Sequence, residues 1–270
     1  WLMLLTTIVG MLLATPNFPN PYLFFWGLFG IGFSASGAAV INHLVDERID
    51  AGMKRTANRP LPTGKITPRN ALIFAGVLIF IGITSLIFFV NFLCALLTFL
   101  SLVGYAIVYS LFLKHATSQN IVIGGLAGAT PPLLGWSAIT NTIDPYALLL
   151  VLIIFVWTPP HFWALAIDRE KDYRNVNVPV LSVTHGIKYT KFWIFLYTIL
   201  LLPISLLPFI VGVAGKIYGV GSFILGLGFL YWAGKLMFYA EKDTAIKTFR
   251  YSIWYLMILF IILLLDHYFK

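Results

Sequence analysis

Asn42, Asp46 and Asp50 recur at four-residue steps at the polar end of one long apolar stretch, and Asp168 and Asp172 repeat that spacing at the end of another. On a helix, residues four apart share a face, so each run forms a row of oxygen donors whose negative charges repel unless a cation lies among them. Hard oxygen donors suit Mg²⁺, which usually keeps several waters and is completed by substrate phosphates rather than by a closed protein cage. Carboxylates are costly in so apolar a chain, and an open acidic stripe there predicts Mg²⁺ and a phosphorylated, oily substrate. The plainer alternative, Asp46 and Asp50 pairing with Arg48 or Lys54 in a solvated loop, would account for one such run but not for two on the same side.

The four carboxylates could bracket two Mg²⁺ ions and a diphosphate, with Lys54, Arg55, Arg59 and Arg174 neutralising the phosphate oxygens. Such a clamp stabilises the negative charge that develops as a carbon–oxygen bond breaks. Taken singly, each basic residue is better explained as a topology signal. Pro159 and Pro160 fall inside an apolar stretch about two turns before Asp168; a proline pair should open the helix, free its carbonyls and border a cavity. His161 beside them is a candidate to bind a heme or move a proton, the alternative being a histidine hydrogen-bonded inside the bundle. His43 points about 100° from Asn42 on a helix and so reads as a wall of the adjoining pocket. Tyr105, Tyr109, Trp136, Trp157, Phe162 and Trp163 have π faces that could shield an allylic carbocation, although most aromatic residues in membrane helices pack or mark the interface.

Elements long enough to carry these residues across a bilayer are plain in the composition. The 270 residues are 60% hydrophobic, 16% aromatic and 10% charged, far from a soluble domain. Apolar runs of about 20 residues, the length that crosses hydrocarbon, recur near 1–14, 22–43, 68–90, 92–113, 120–140, 146–167, 190–212, 217–238 and 248–266. The expected fold is therefore all-α: one polytopic membrane domain of nine helices over 1–270. The first run is short and begins at Trp1 rather than Met, so the start of its helix is expected to lie upstream; a signal peptide is disfavoured because no basic n-region precedes it.

Sixteen of the eighteen Lys and Arg fall on one side of this topology, leaving Lys216 and Lys270 on the other. By the positive-inside bias that side is cytoplasmic, and both acidic runs lie on it. The net charge of +8 is explained by these juxtamembrane loops, which argues against nucleic-acid binding. The single cysteine, Cys94, lies within a span, so neither an intrachain disulfide nor a thiolate metal site is available. The loops on the far side are short and nearly uncharged, whereas Glu47–Thr67 and Arg169–Tyr189 hold most ionisable residues and should carry function. Spans two and six each end in an acidic pair followed by a basic, Pro-containing loop, which leaves an internal duplication open. The segment 59–68, with three prolines and Gly64, predicts an ordered, non-helical elbow.

Together, Asn-His-x-x-Asp-x-x-x-Asp at 42–50, Met-Lys-Arg-Thr-x-x-Arg-Pro-Leu-Pro-x-Gly at 53–64, Asn-Ile-Val-Ile-Gly-Gly at 120–125, Ala-Thr-Pro-Pro-Leu-Leu-Gly-Trp at 129–136, Trp-Thr-Pro-Pro-His-Phe-Trp at 157–163, Asp-Tyr at 172–173 and Val-Pro-Val-Leu at 178–181 resemble the UbiA-type intramembrane prenyltransferases, and most of all their heme-farnesylating branch. The resemblance covers nearly the whole chain. It implies a nine-helix bundle around a central cavity, and transfer of the farnesyl group of farnesyl diphosphate to a vinyl group of heme B with addition of water, in a bacterial inner membrane. It gives Asn42, Asp46, Asp50 and Asp172 the Mg²⁺ and diphosphate role and makes Asp168 the less secure of the acids. Heme A synthase or a terminal oxidase are the protein partners it suggests. Two alternatives stay open: a sibling enzyme acting on an aromatic acid or quinone precursor, and a transporter or heme carrier whose carboxylates couple ions.

Overall fold

The computed structural model describes residues 2–53, 55–176, 178–239 and 243–269. Those residues are helical almost throughout, with no strand among them. Nine apolar helices follow in order: α1 (Leu2–Leu13), α2 (Pro21–Val45), α3 (Pro68–Phe89), α4 (Phe92–Leu113), α5 (Asn120–Thr140), α6 (Pro145–Asp168), α7 (Ile187–Ile210), α8 (Lys216–Phe238) and α9 (Thr244–Tyr268). Eight are long and apolar enough to cross a membrane, and α1 is shorter. α7 and α9 begin three and four residues before the apolar stretches do. Lys188 and Lys247 are helical there because long basic side chains can reach the interface from a helix end.

Local chemistry sets several starts. Asn20, Thr67 and Asp144 each stand before a proline at the first helical turn, and their side chains accept a backbone N–H from Tyr22, Asn70 and Tyr146 at 2.9, 3.3 and 2.7 Å. This satisfies donors that a helix end would otherwise leave unpaired, while proline supplies the helical φ. At the far end of the bundle, the buried Asp266 of α9 accepts from the backbone N–H groups of Gly215 and Tyr218 and so caps α8.

α5 and α6 are the most buried spans and α3 and α4 the least. The largest core cluster joins α1, α5, α6, α7, α8 and α9 through residues such as Trp136, Leu150, Phe229, Tyr255 and Phe260. The outer faces of α3 and α4 carry exposed Phe80, Phe88 and Phe112, as a lipid-facing surface requires. Small residues let helix backbones approach in such bundles. At the α1–α5 crossing a Cβ on Gly10 would land on the Pro132 carbonyl, and one on Gly135 on the Thr7 carbonyl.

Two helices depart from regularity next to the acidic runs. α2 ends at Val45, and after Asp46 the chain resumes as a short helix over Glu47–Gly52. One continuous helix was the expectation. The Asp46 N–H nevertheless still donates to Asn42 (3.0 Å) and the Asp50 N–H to Asp46 (2.7 Å), so the four-residue stripe survives the break. α4 changes at Gly104 from α-helix to a ten-residue π-helix, Gly104–Leu113, a rare form often found at functional sites. The segment 59–66 is the non-helical elbow expected: the Gly64 N–H donates to Leu61 at 2.9 Å, and Gly64 takes a φ of 71°.

The α1–α5 crossing should resist any side chain. Gly135→Ala is expected to lower stability by about 1–3 kcal/mol through overpacking, read as the thermal midpoint of the full chain in detergent. Gly76→Ala, where a Cβ meets nothing within 4 Å, should stay within about 1 kcal/mol of the parent.

Candidate active site

Where α2, α4, α5 and α6 end on the same side of the bundle, they enclose a polar cavity of about 190 Å³ lined on one side by Asn42, Asp46 and Asp50 and on another by Arg55, Arg59 and Lys114. Tyr105, Tyr109, Phe162 and Tyr173 supply aromatic walls. The acids are deeply placed, Asp46 being 5% and Asp50 4% exposed. Each is held by one cation: Lys114 Nζ stands 2.5 Å from Asp46, and Arg59 donates to Asp50 at 2.6 Å. Burying a carboxylate without a partner costs several kcal/mol, and these two pairs supply the partners. Thr56, itself buried, donates to the Asp50 carbonyl at 3.1 Å and fastens the elbow to the acidic stripe.

Further contacts orient the first acid. Asn42 donates from Nδ2 to Asp46 at 3.2 Å, and its Oδ1 accepts from Ser110 at 2.9 Å. The Ser110 hydroxyl also reaches the Tyr105 carbonyl five residues back, at 2.9 Å, which the wide π-helical turn permits. That segment sets Tyr105 and Tyr109 in a stacked pair, ring centroids 5.7 Å apart. Gly124 of α5 allows the arrangement, because a Cβ there would sit on the Tyr109 ring. Asn120 donates to the Lys114 carbonyl at 3.1 Å and so ties α5 to the end of α4.

Of the buried side-chain oxygens without a hydrogen-bond partner among the described residues, two, Asp46 Oδ1 and Asn120 Oδ1, belong to residues that line the cavity. With Asn42 and Asp50 beside them, the donors are hard oxygens of the kind Mg²⁺ takes. Among the described residues no three acidic, His or Cys side chains stand together as a ready-made metal site. The donor set therefore fits an ion that would be completed by substrate phosphate rather than one held by protein alone.

The second acidic run lies next door. α6 ends at Asp168, and after a turn at Arg169 a separate helix spans Glu170–Asn175. Asp168 and Asp172 border an open hollow of about 680 Å³ that shares Arg55 with the polar cavity. Arg169, at the helix break, places Nε 3.2 Å from Asp168. Tyr173, next to Asp172 in sequence, lines the polar cavity. Burial pushes its phenol pKa up, Arg55 draws it down, and the charges of Asp172 and Asp46 raise it again.

Several of the residues proposed to meet substrate, Trp136 and Trp163 among them, stand outside the polar cavity. Arg174 is exposed and bonded to Glu170. Trp157 donates from its indole to the Ser252 carbonyl at 2.8 Å, and His161 meets the Ser252 hydroxyl at 2.6 Å. The His161 ring is sandwiched between Trp157 and Phe249, at 4.1 and 4.7 Å. The proline pair does not break α6, which stays helical from Pro145 to Asp168; the helix presents Phe162 to the cavity and His161 to α9. His43 borders a separate hollow, and Lys54 lies outside the described residues. Lys114, counted in the sequence only as a topology signal, is the cavity residue that spacing missed. Its position one residue after an apolar helix, at the head of the polar run 114–120, was the available signal.

Residues 3–262 match the UbiA prenyltransferase family. The chain is 59% identical over 269 residues to protoheme IX farnesyltransferase 2 of Pseudoalteromonas atlantica, covering 100% of this chain and 88% of that protein. It is also 59% identical over 268 residues to protoheme IX farnesyltransferase of Legionella pneumophila, covering 99% and 91%. In fold it is similar to a digeranylgeranylglyceryl phosphate synthase, with a TM-score of 0.82 at 20% identity over 99% of this chain and 94% of the other. It is likewise similar to a UbiA homologue from Archaeoglobus fulgidus bound to DMAPP and Mg²⁺, with a TM-score of 0.71 at 16% identity over 97% and 94%. With its helices, its acidic cavity and these relatives in agreement, the chain belongs to the UbiA prenyltransferase family.

Proposed function

We propose that this multi-pass membrane protein transfers the farnesyl group of farnesyl diphosphate to a vinyl group of heme B, with addition of water, giving heme O and diphosphate. The observation that carries the proposal is the polar cavity in which buried Asp46 and Asp50 face Lys114, Arg59 and Arg55. The names of the relatives supply the acceptor.

Asn42, Asp46 and Asp50, with Asp172 beyond Arg55, are the residues that would hold Mg²⁺, and Asp168 would support them. When bound, Mg²⁺ neutralises diphosphate charge and makes it a better leaving group. Lys114 and Arg59 then exchange carboxylate partners for phosphate oxygens, joined by Arg55. This exchange keeps every buried charge paired, which the low dielectric demands. As the allylic carbon–oxygen bond breaks, the bonding electrons leave with the diphosphate against these fixed cations. The vinyl carbon attacks farnesyl C1, and water captures the resulting benzylic-type cation and releases a proton. Tyr105 and Tyr109 turn their stacked rings to the cationic carbon and exclude other water.

The tail has a place of its own. Tyr105 also borders an apolar hollow of about 320 Å³, lined by Ala35, Ala38, Ala39, Gly128 and Leu134 among others. Small side chains leave there the room an isoprenoid needs, and the hollow holds no charge. By the excess of Lys and Arg on this side, the cavity faces the cytoplasm from a bacterial inner membrane. Heme A synthase or a terminal oxidase would receive the product.

Asp46→Ala or Asp50→Ala should lower heme O formation in membranes by at least about 10²-fold with the inserted amount unchanged. The check is mass analysis of extracted hemes, and near-normal product would refute the assignment. Parallel incubation of membranes with labelled farnesyl diphosphate and either heme B or 4-hydroxybenzoate separates the heme enzyme from one that alkylates aromatic acids. Gly128→Leu, placed where a Cβ meets nothing within 4 Å, should raise KM for farnesyl diphosphate about tenfold and spare geranyl diphosphate, since about 1.4 kcal/mol of lost tail contact is a factor of ten. Equal KM changes for both donors would remove the tail from this hollow.

A further inference from the structure

On the other side of the Asp50–Arg59 pair lies a third hollow, of about 440 Å³, that the polar cavity and the tail slot leave unused. α2 contributes Val40 and His43, the elbow Pro60, Leu61, Pro62 and Lys65, and the start of α3 Ala71 and Phe74. Its volume falls within the roughly 300–1,000 Å³ of pockets that enclose compact organic ligands. Its walls are graded: Asp50 and Arg59, at the boundary with the polar cavity, are buried or half-buried, whereas Lys65, Ile66 and Phe74 at the opposite rim are exposed. Lys65 has no ion-pair partner among the described residues, and His43 makes no hydrogen bond to one.

The other histidines with described side chains are engaged elsewhere. Both faces of His161 are covered by aromatic rings, and Ser252 holds its Nδ1. His185 stacks on Tyr189 and meets the Thr184 hydroxyl in an exposed loop. His267 bonds the Thr15 carbonyl at the far end of the bundle. Among these, His43 is the imidazole that borders an open, mostly apolar hollow.

We propose that this hollow is the porphyrin site, with His43 as the axial ligand to iron and Lys65 at the rim meeting the propionates. The inference rests on heme B being the acceptor. A porphyrin carries its two anionic propionates on one edge and its vinyl groups on the opposite one. Charge complementarity places the propionates at Lys65, and the vinyl edge then faces the Asp50–Arg59 wall, across which lies the diphosphate cavity. The same wall thus separates the two substrates at rest, and the partner exchange of Arg59 opens it toward the vinyl carbon. Imidazole is an ordinary axial ligand for heme iron, and ligation through His43 would fix the ring so that one vinyl group presents to farnesyl C1.

The test uses the purified full-length chain in nanodiscs titrated with ferric heme B, without farnesyl diphosphate. The parent protein and His161→Ala should both give the Soret band of histidine-ligated heme. His43→Ala should lose that band and regain it with added imidazole. Lys65→Glu should weaken heme binding about tenfold, as expected for losing one charge-assisted contact. All three variants should bind farnesyl diphosphate with Mg²⁺ as the parent does. An unchanged band in His43→Ala, or its loss in His161→Ala instead, overturns the site. Loss of farnesyl diphosphate binding together with heme binding in His43→Ala overturns it too. A parent protein that binds farnesyl diphosphate but no heme, and prenylates 4-hydroxybenzoate, instead removes the acceptor on which the inference rests.

Discussion

Two carboxylates buried among apolar helices must each keep a cation beside them, and the site end of this bundle is organised around that requirement. Asp46 and Asp50 come from one stripe, but their partners come from elsewhere: Lys114 from the end of α4 and Arg59 from the elbow before α3. Because Arg59 is nine residues from Asp50 and Lys114 is 68 from Asp46, pairing draws the acidic stripe, the elbow and the end of α4 onto one cavity. Asn42, Ser110 and Thr56 then fix the geometry with hydrogen bonds of 2.9 to 3.2 Å. A ligand that brings both a divalent cation and a polyanion can replace all these partners at once, whereas a neutral ligand can replace none. The resting pairs thus suit the metal–diphosphate ligand of the proposed function.

The surroundings divide by polarity. Charge lines the polar cavity and the open hollow beside Asp172, whereas the hollow behind Tyr105 is apolar with small side chains. An isoprenoid diphosphate has the same division along its length. The π-helical turn of α4 contributes to both chambers, since it sets Tyr105 between them and Ser110 against Asn42. A regular α-helix would bring Ser110 back to the carbonyl of residue 106 rather than 105, which is a physical reason for so unusual a backbone at this point.

α6 shows how membrane context overrides a local rule. A proline pair should break a helix, yet α6 continues through Pro159 and Pro160. Trp157 and His161 on one side of it are locked to Ser252 of α9, so tertiary packing holds the segment straight enough to remain helical. What the prolines flank is a packed aromatic stack instead of an opening. Phe162, one residue on, faces the cavity because a helix turns about 100° per residue.

Hydrophobic run lengths, the asymmetry of Lys and Arg and the four-residue spacing of Asn42, Asp46 and Asp50 made the membrane fold and the acidic stripe legible in the sequence, since each depends on short-range periodicity or on composition. The elbow was legible for the same reason, through its prolines and Gly64. The partner of Asp46 was not: Lys114 is 68 residues away, and no periodicity encodes a contact made by helix packing. Nor was the face that His161 presents, because the rotation of α6 is set by its neighbours rather than by its own nearly uniform apolarity. Sequence thus determined which residues could bear charge inside the membrane, and tertiary structure decided which of them meet, because a buried charge takes its partner from whatever the fold places within reach.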